Sequence, residues 1–392
     1  MLFLRELMDL RRPNLLARCV ATLAPVLILS ISLAAAVRAD NDQQGNKGPE
    51  NKPHSVGQMA VVGDSLSAGF QNGTLMACQQ VNGYANLIAQ QAGAPLVLPL
   101  IGFPGLPPIT SAFPPVGRLN PLQQVTNLAV PGQTTGQALT MTPVYGTPIN
   151  GLPFDPSIFP ALPVDAPPPA GVQSLTNFIL GFPGVFAAPQ LSFSQVQWAN
   201  LLGPDTVIVW LGTNDIIGKL EGVQTDITNP VVFAQQFDQV LSSLSTNKKA
   251  VVVANLPDTT LTPLIGQAVE NNVPLRLTIQ ELTLAYNAII TRTAARYGAP
   301  VVDIYGLVNS LAAKGFVVNG RKLTTQPLGG LFSLDGLHPS NTGYAIFANE
   351  FIKTMNSRLG SGIPLVDIKD VAATDPLVPG NLTNPPRLCT VP

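Results

Sequence analysis

Short apolar runs alternating with helical stretches constrain this chain more than any other feature. Residues 60–62, 125–130, 206–211, 250–254 and 300–303 are rich in valine and other apolar side chains, the composition of strands buried on both faces. Helical patterning falls between and after them, over residues 84–91, 192–202, 278–297, 304–313 and 341–359. A further helix begins at Asn229-Pro230, a cap followed by proline at the first helical position, and runs to about residue 244. This alternation predicts an α/β protein with a parallel central sheet and helices on both faces. Right-handed crossovers then bring the carboxyl end of every strand to one edge, where open α/β sheets bind their ligands.

The residues at that edge are reactive. The first run stops at Gly63-Asp64-Ser65, where Gly63 lets the chain turn and Ser65 is either a helix cap or a nucleophile. A serine hydroxyl needs a base, and the base needs an orienting partner. Beyond residue 39 the only histidines are His54 and His338. His54 lies in a polar linker, so a Ser–His pair would have to use His338. Asp335, three residues earlier, is close enough to fix the imidazole tautomer; the alternative is that both residues only decorate a helix entry. An oxyanion would need donors set in place. The Ser65 amide, the amide of Gly132 and the side-chain amide of Asn214 are the candidates, and each also reads as a turn or cap residue. Asp64 is expected to support its loop, with Thr213 and Asp215 as local hydrogen-bonding and capping residues.

Charge excludes some partners. The chain carries 21 Lys+Arg and 22 Asp+Glu, and after residue 39 the balance is 16 against 20. A mildly acidic chain without a basic block gives no reason to expect nucleic acid. Within residues 1–39, Arg11, Arg12 and Arg18 precede an apolar run ending at Val37-Arg38-Ala39. That is the order of a secretory signal, which predicts a secreted or periplasmic protein. An uncleaved membrane anchor is the competing reading, since the run approaches the ~20 residues needed to span a bilayer. Residues 40–57 read as a flexible linker, 58–359 as the folded domain and 360–392 as a Pro-rich tail. Once Cys19 leaves with the leader, Cys78 and Cys389 remain, either bridged or as two free thiols.

Residues 141–189 show no sustained period and are dense in proline and large apolar side chains. A segment of this kind either walls an apolar cleft or covers a sheet edge. Gly102-Phe103-Pro104-Gly105 recurs as Gly181-Phe182-Pro183-Gly184, and Pro-Gly predicts a type II turn at each copy.

Val62-Gly63-Asp64-Ser65-Leu66-Ser67 resembles the first block of the GDSL, or SGNH, hydrolases. Ala129-Val130-Pro131-Gly132 is similar to the second block, Gly212-Thr213-Asn214-Asp215 to the third and Asp335-Gly336-Leu337-His338-Pro339 to the last. The four occur in the family's order and span residues 58–359. The resemblance implies Ser65 as nucleophile, His338 as base, Asp335 as its partner, and Gly132 and Asn214 in the oxyanion hole. It further implies a flavodoxin-like α/β/α sandwich and hydrolysis of small-molecule or lipid esters without metal or organic cofactor. The gap between Gly132 and Asn214 is longer than in compact members, so substrate does not carry over. Carbohydrate O-deacetylation, or a non-catalytic binding protein on the same fold, are the alternatives; contact with a membrane surface and oligomeric state stay open. The rival G-x-S-x-G elbow is absent, with Ser67 in the place of its second glycine. The sequence also contains no P-loop, G-x-G-x-x-G or zinc-ligand cluster.

Overall fold

The strand β1, Met59–Gly63, pairs in parallel with β2, Thr206–Trp210; β2 pairs with β3, Ala250–Ala254, and β3 with β4, Val301–Val302. The register sets Val61 beside Ile208, Val207 beside Val251 and Val253 beside Val301. All of β1 and β2 is buried, which is why their residues are apolar without alternation. These details come from a computed structural model that describes residues 55–107, 117–145, 170–187, 189–246 and 249–381. The leader over 1–39, residues 40–54 of the linker, residues 146–169 of the insertion and Cys389 lie outside the described residues.

Helices cover both faces. On one face α1, Tyr84–Ala92, packs against the C-terminal helix Asn341–Leu359. Trp210 of β2 reaches that side, meeting Tyr84, Phe347 and Phe351 at ring-centroid distances of 5.4, 5.8 and 5.8 Å. On the other face lie α2, Gln195–Leu202, α3, Pro230–Leu244, and α4, Val273–Arg296. Phe233 of α3 stacks on both Phe237 of the same helix and Tyr286 of α4 to fill that layer. The molecule is the expected three-layer α/β/α arrangement, of SGNH or flavodoxin type. Among the described residues no helix is long and apolar enough to cross a membrane.

Several expectations need correction. Residues 125–130 form only a bridge, Asn127 to Val61, although the bonds Val61 N–H to Thr126 O, Leu128 N–H to Val61 O and Val130 N–H to Gly63 O run along β1. The Asn127 side chain accepts from Ala129 N–H at 3.2 Å and donates to Ser67 O at 2.9 Å, tying this segment to the turn after β1. The helix α4 starts five residues before the expected Thr278, because Asn272 caps Leu275 N–H and Pro274 fits the first turn. The helix expected from Ser192 begins at Gln195, with Ser194 as its cap in a reciprocal capping box with Gln197. Neither Pro-Gly turn is type II: the first closes one residue earlier, from Gly105 N–H to Gly102 O at 2.9 Å, and at the second Pro183 has ψ 6. The insertion contains the helix Ala170–Leu180, and the tail contains Ile368–Thr374.

Candidate functional site

Parallel pairing delivers the predicted residues to one edge. Ser65 opens the single helical turn Ser65–Ala68 directly after β1, and Asp64 caps it, its Oδ1 accepting Leu66 N–H at 3.0 Å. Asn214 lies in the short helix Thr213–Ile217 after β2. Gly132 follows the segment alongside β1, and His338 lies just before the C-terminal helix Asn341–Leu359.

His338 Nε2 is 2.8 Å from Ser65 Oγ, and His338 Nδ1 is 3.0 Å from Asp335 Oδ2. Asp335 is itself held by main-chain donors. Its Oδ1 accepts Leu337 N–H and His338 N–H, both at 2.9 Å, and its Oδ2 accepts Gly73 N–H at 3.0 Å. Burial would raise the Asp335 carboxyl, but the facing imidazole and these donors outweigh it and hold it well below the usual carboxylate range. For His338 burial acts downward, and Asp335, helped by Glu221 and Asp64, overcomes it and raises the imidazole above its ordinary value. The ring of Phe70 lies against the imidazole at a centroid distance of 4.8 Å, sheltering it from water. The sequence spacing showed the Asp335–His338 pair, but nothing in it pointed to Gly73. That contact exists because the turn after the Ser65 helix is laced to residues 333–335, with Asn72 N–H donating to Ser333 Oγ and Leu334 N–H to Asn72 Oδ1.

The donor candidates sit on the same cleft. Gly132 has φ +81, a left-handed conformation, and a Cβ there would come within 2.9 Å of Val172 Cγ2; both facts call for glycine. Gln224 Nε2 donates to Gly132 O at 2.6 Å, fixing the neighbouring peptide plane. The Asn214 Nδ2 group donates to Gln133 O at 3.1 Å and lies 3.4 Å from Asp64 Oδ2. Behind them Gln195 of α2 accepts Gly63 N–H at 2.8 Å and donates to Gly63 O at 2.9 Å and Gln133 Oε1 at 2.6 Å. These glutamines were not singled out in the sequence, where a structural glutamine looks like a surface one. Asp215 does hydrogen-bond, but at long range rather than locally as expected, its Oδ2 accepting both N–H and Oγ–H of Thr135, 80 positions earlier. Thr213 does not, since its buried Oγ has no partner among the described residues.

Ser65, Gly132, Asn214 and His338 border a cleft of ≈ 340 Å³. Its walls include Phe70, Val223 and Leu264, together with Val172 and Leu175 from the insertion helix. Of the two readings of the insertion, this part walls the cleft. One carboxylate that sequence reasoning missed, Glu221, also borders it; a lone acid in a turn carries no recognisable signal. Cys78 is disulfide-bonded, and both other cysteines, Cys19 and Cys389, lie outside the described residues.

Against known proteins, residues 59–351 match the model of the GDSL-like lipase/acylhydrolase family. No curated protein matches the chain. Among solved structures it is similar to LAE5, an alpha/beta hydrolase enzyme from the metagenome of Lake Arreo, at 15% identity over 78% of this chain and 95% of that one, with a TM-score of 0.40. It is also similar to Axe2, an acetylxylan esterase from Geobacillus stearothermophilus, at 12% identity over 77% of this chain and 96% of that one, with a TM-score of 0.40. Likeness at this level says nothing about substrate.

Proposed function

Because the chain belongs to the GDSL-like lipase/acylhydrolase family and is therefore a carboxylic-ester hydrolase, we propose that it works by acyl transfer through Ser65, His338 and Asp335. Ser65 Oγ attacks the ester carbonyl while His338 Nε2 takes its proton. Asp335 keeps the proton on Nδ1 and stabilises the imidazolium that forms. The oxyanion is met by the amides of Ser65 and Gly132 and by the Asn214 side chain, whose long contact to Asp64 leaves one N–H to turn toward it. The imidazolium then protonates the departing alcohol, and water, activated by the same base, releases the acid from Ser65.

One observation carries this reading: Ser65 Oγ, both imidazole nitrogens and the Asp335 carboxylate form a continuous chain at 2.8 and 3.0 Å. The apolar walls of the cleft support an acyl-chain site and hence acyl or lipid esters as substrates. Export belongs to the same reading and rests on the leader pattern of residues 1–39. A fluorophosphonate probe tests the mechanism. It should label the purified protein at Ser65, and labelling that persists at full strength in Ser65→Ala would refute the assignment. An ester series tests the acyl site, because rates falling steadily from acetate to octanoate would point to deacetylation instead.

A further inference from the structure

The cleft contains a charged group that acyl transfer, as proposed above, does not use. Glu221 sits in the tight turn after the helix Thr213–Ile217. Its amide bonds Ile217 O at 3.1 Å, and Val223 and Gln224 N–H both return to Gly218 O. The same turn supplies Gln224, whose Nε2 donates to Gly132 O at 2.6 Å, so its position is fixed relative to the donor edge. The Glu221 side chain is half-buried and borders both the open cleft and a small pocket of ≈ 20 Å³ behind Ser65. Its carboxyl has no hydrogen-bond partner among the described residues, and it feels the charges of His338 and Asp335. Burial lifts it to about 7, although part of the side chain stays open to the cleft.

A carboxyl that faces a cleft without a protein donor can take its hydrogen bond from a bound ligand in place of water. Two ligand chemistries would serve, an ammonium or a hydroxyl. An ammonium is disfavoured by the reaction itself, because His338 becomes a cation within electrostatic reach of Glu221 and a second cation there would oppose it. A hydroxyl satisfies the carboxylate without that opposition. Val172 and Leu175 offer an acyl chain apolar contact, whereas Glu221 is an acceptor without a protein donor and so matches the part of an ester that carries hydroxyls. We propose that Glu221 accepts a hydrogen bond from a hydroxyl on the alcohol portion of the ester, so that preferred substrates are acyl esters of polyhydroxy alcohols. This inference rests on the acyl-transfer reading.

The test compares kcat/KM for glycerol 1-monobutyrate with that for propyl butyrate, which has the same acyl group and carbon count but no free hydroxyl. Methyl 6-O-butyrylglucoside forms a third arm that separates sugar from glycerol esters. The wild type should prefer a hydroxylated ester by about tenfold or more, the weight of a hydrogen bond to a charged group. Glu221→Leu should bring the ratio close to one, and Glu221→Gln, which keeps an acceptor oxygen, should retain part of it. Fluorophosphonate labelling of Ser65 reports whether each variant has a formed site; if Glu221→Leu is not labelled, Glu221→Gln decides. A wild-type ratio near one, or a ratio that neither substitution changes, overturns the proposal even if p-nitrophenyl butyrate is turned over. No turnover of any of the four esters by folded wild-type protein overturns the acyl-transfer reading, and this inference with it.

Discussion

Replacing Asp335 by asparagine isolates what the carboxylate does for His338, because the amide nearly preserves its shape. The two orientations of the new side chain are not equivalent. With its oxygen at the Oδ1 position it keeps the bonds from Leu337 N–H and His338 N–H, both 2.9 Å in the wild type. The flipped amide would point its NH₂ at both of those donors. The first orientation therefore wins, and it places the NH₂ 3.0 Å from His338 Nδ1 and 3.0 Å from Gly73 N–H. An N–H donor aimed at Nδ1 selects the tautomer with its proton on Nε2. That proton then faces Ser65 Oγ across 2.8 Å, and the nitrogen that must act as base is already occupied.

The expected loss in kcat is on the order of 10⁴, the magnitude known for a wrong tautomer in a serine triad. Stability should fall at neutral pH, because the variant keeps the bonds from Leu337 N–H and His338 N–H but loses the carboxylate's charge and its bonds to His338 Nδ1 and Gly73 N–H. The wild-type carboxyl is held below its unfolded value, so it contributes stability above that value and loses it as pH falls through the folded one. The stability gap between wild type and variant should accordingly close in acid. Stopped assays on p-nitrophenyl butyrate, with thermal melts at pH 7 and pH 3, measure both quantities. A variant retaining more than a tenth of the wild-type kcat would refute the assignment of Asp335 as the orienting partner.

Two further expectations concern the same site. Gly132→Ala places a Cβ 2.9 Å from Val172 Cγ2 at φ +81. The valine tip can move, but the left-handed backbone costs about 1–2 kcal/mol; the melt should fall by a few degrees and kcat by about 10²–10³ as the amide is displaced. Unchanged kcat and melting would remove Gly132 from the donor set. The pH profile follows His338. Asp335 raises its pKa against the effect of burial, and only the neutral imidazole is a base, so activity falls as pH drops through a value above 6.5. A kcat/KM acid limb centred below 6 would contradict this.

Parallel strands made the site legible before any coordinates. Gly63 and Trp210 are register partners in β1 and β2, so residues a few positions beyond each must emerge on the same edge, and Ser65 and Asn214 do. The spacing of Asp335 and His338 was equally readable, because a carboxylate three residues back lies within one turn of an imidazole. The supporting contacts were not readable. Gly73 and Asp335 are separated by 262 positions and Gln195 and Gly63 by 132, and amide side chains have no pattern that distinguishes a buried clamp from a surface residue. Residues 125–130 were read nearly correctly: they run along β1 with main-chain bonds at Thr126, Leu128 and Val130, but as a bridge at Asn127 rather than a full strand.

The same clamps explain how a nucleophile and base 273 positions apart can stand 2.8 Å from each other. Loop closure grows only logarithmically with length, so separation along the chain is a small obstacle, and precision depends on what holds the ends. Asp64 is the joint on the serine side. Its Oδ1 caps the Ser65 turn at 3.0 Å, while its Oδ2 lies 3.4 Å from the Asn214 amide. Ser65 and the Asn214 amide are thus positioned by one buried carboxyl, whose pKa burial raises to about 7. Gln195 adds a second tie by holding both peptide groups of Gly63 and the side chain of Gln133, whose own carbonyl receives Asn214. Ser65 and Asn214 consequently cannot drift apart unless the end of β1 moves, and that strand is fully buried beside β2. The side chains of Val172 and Leu175 on the cleft wall take no part in these bonds, so they can vary without disturbing Ser65, Asn214 or His338, and substrate choice can change there while the proposed chemistry stays fixed.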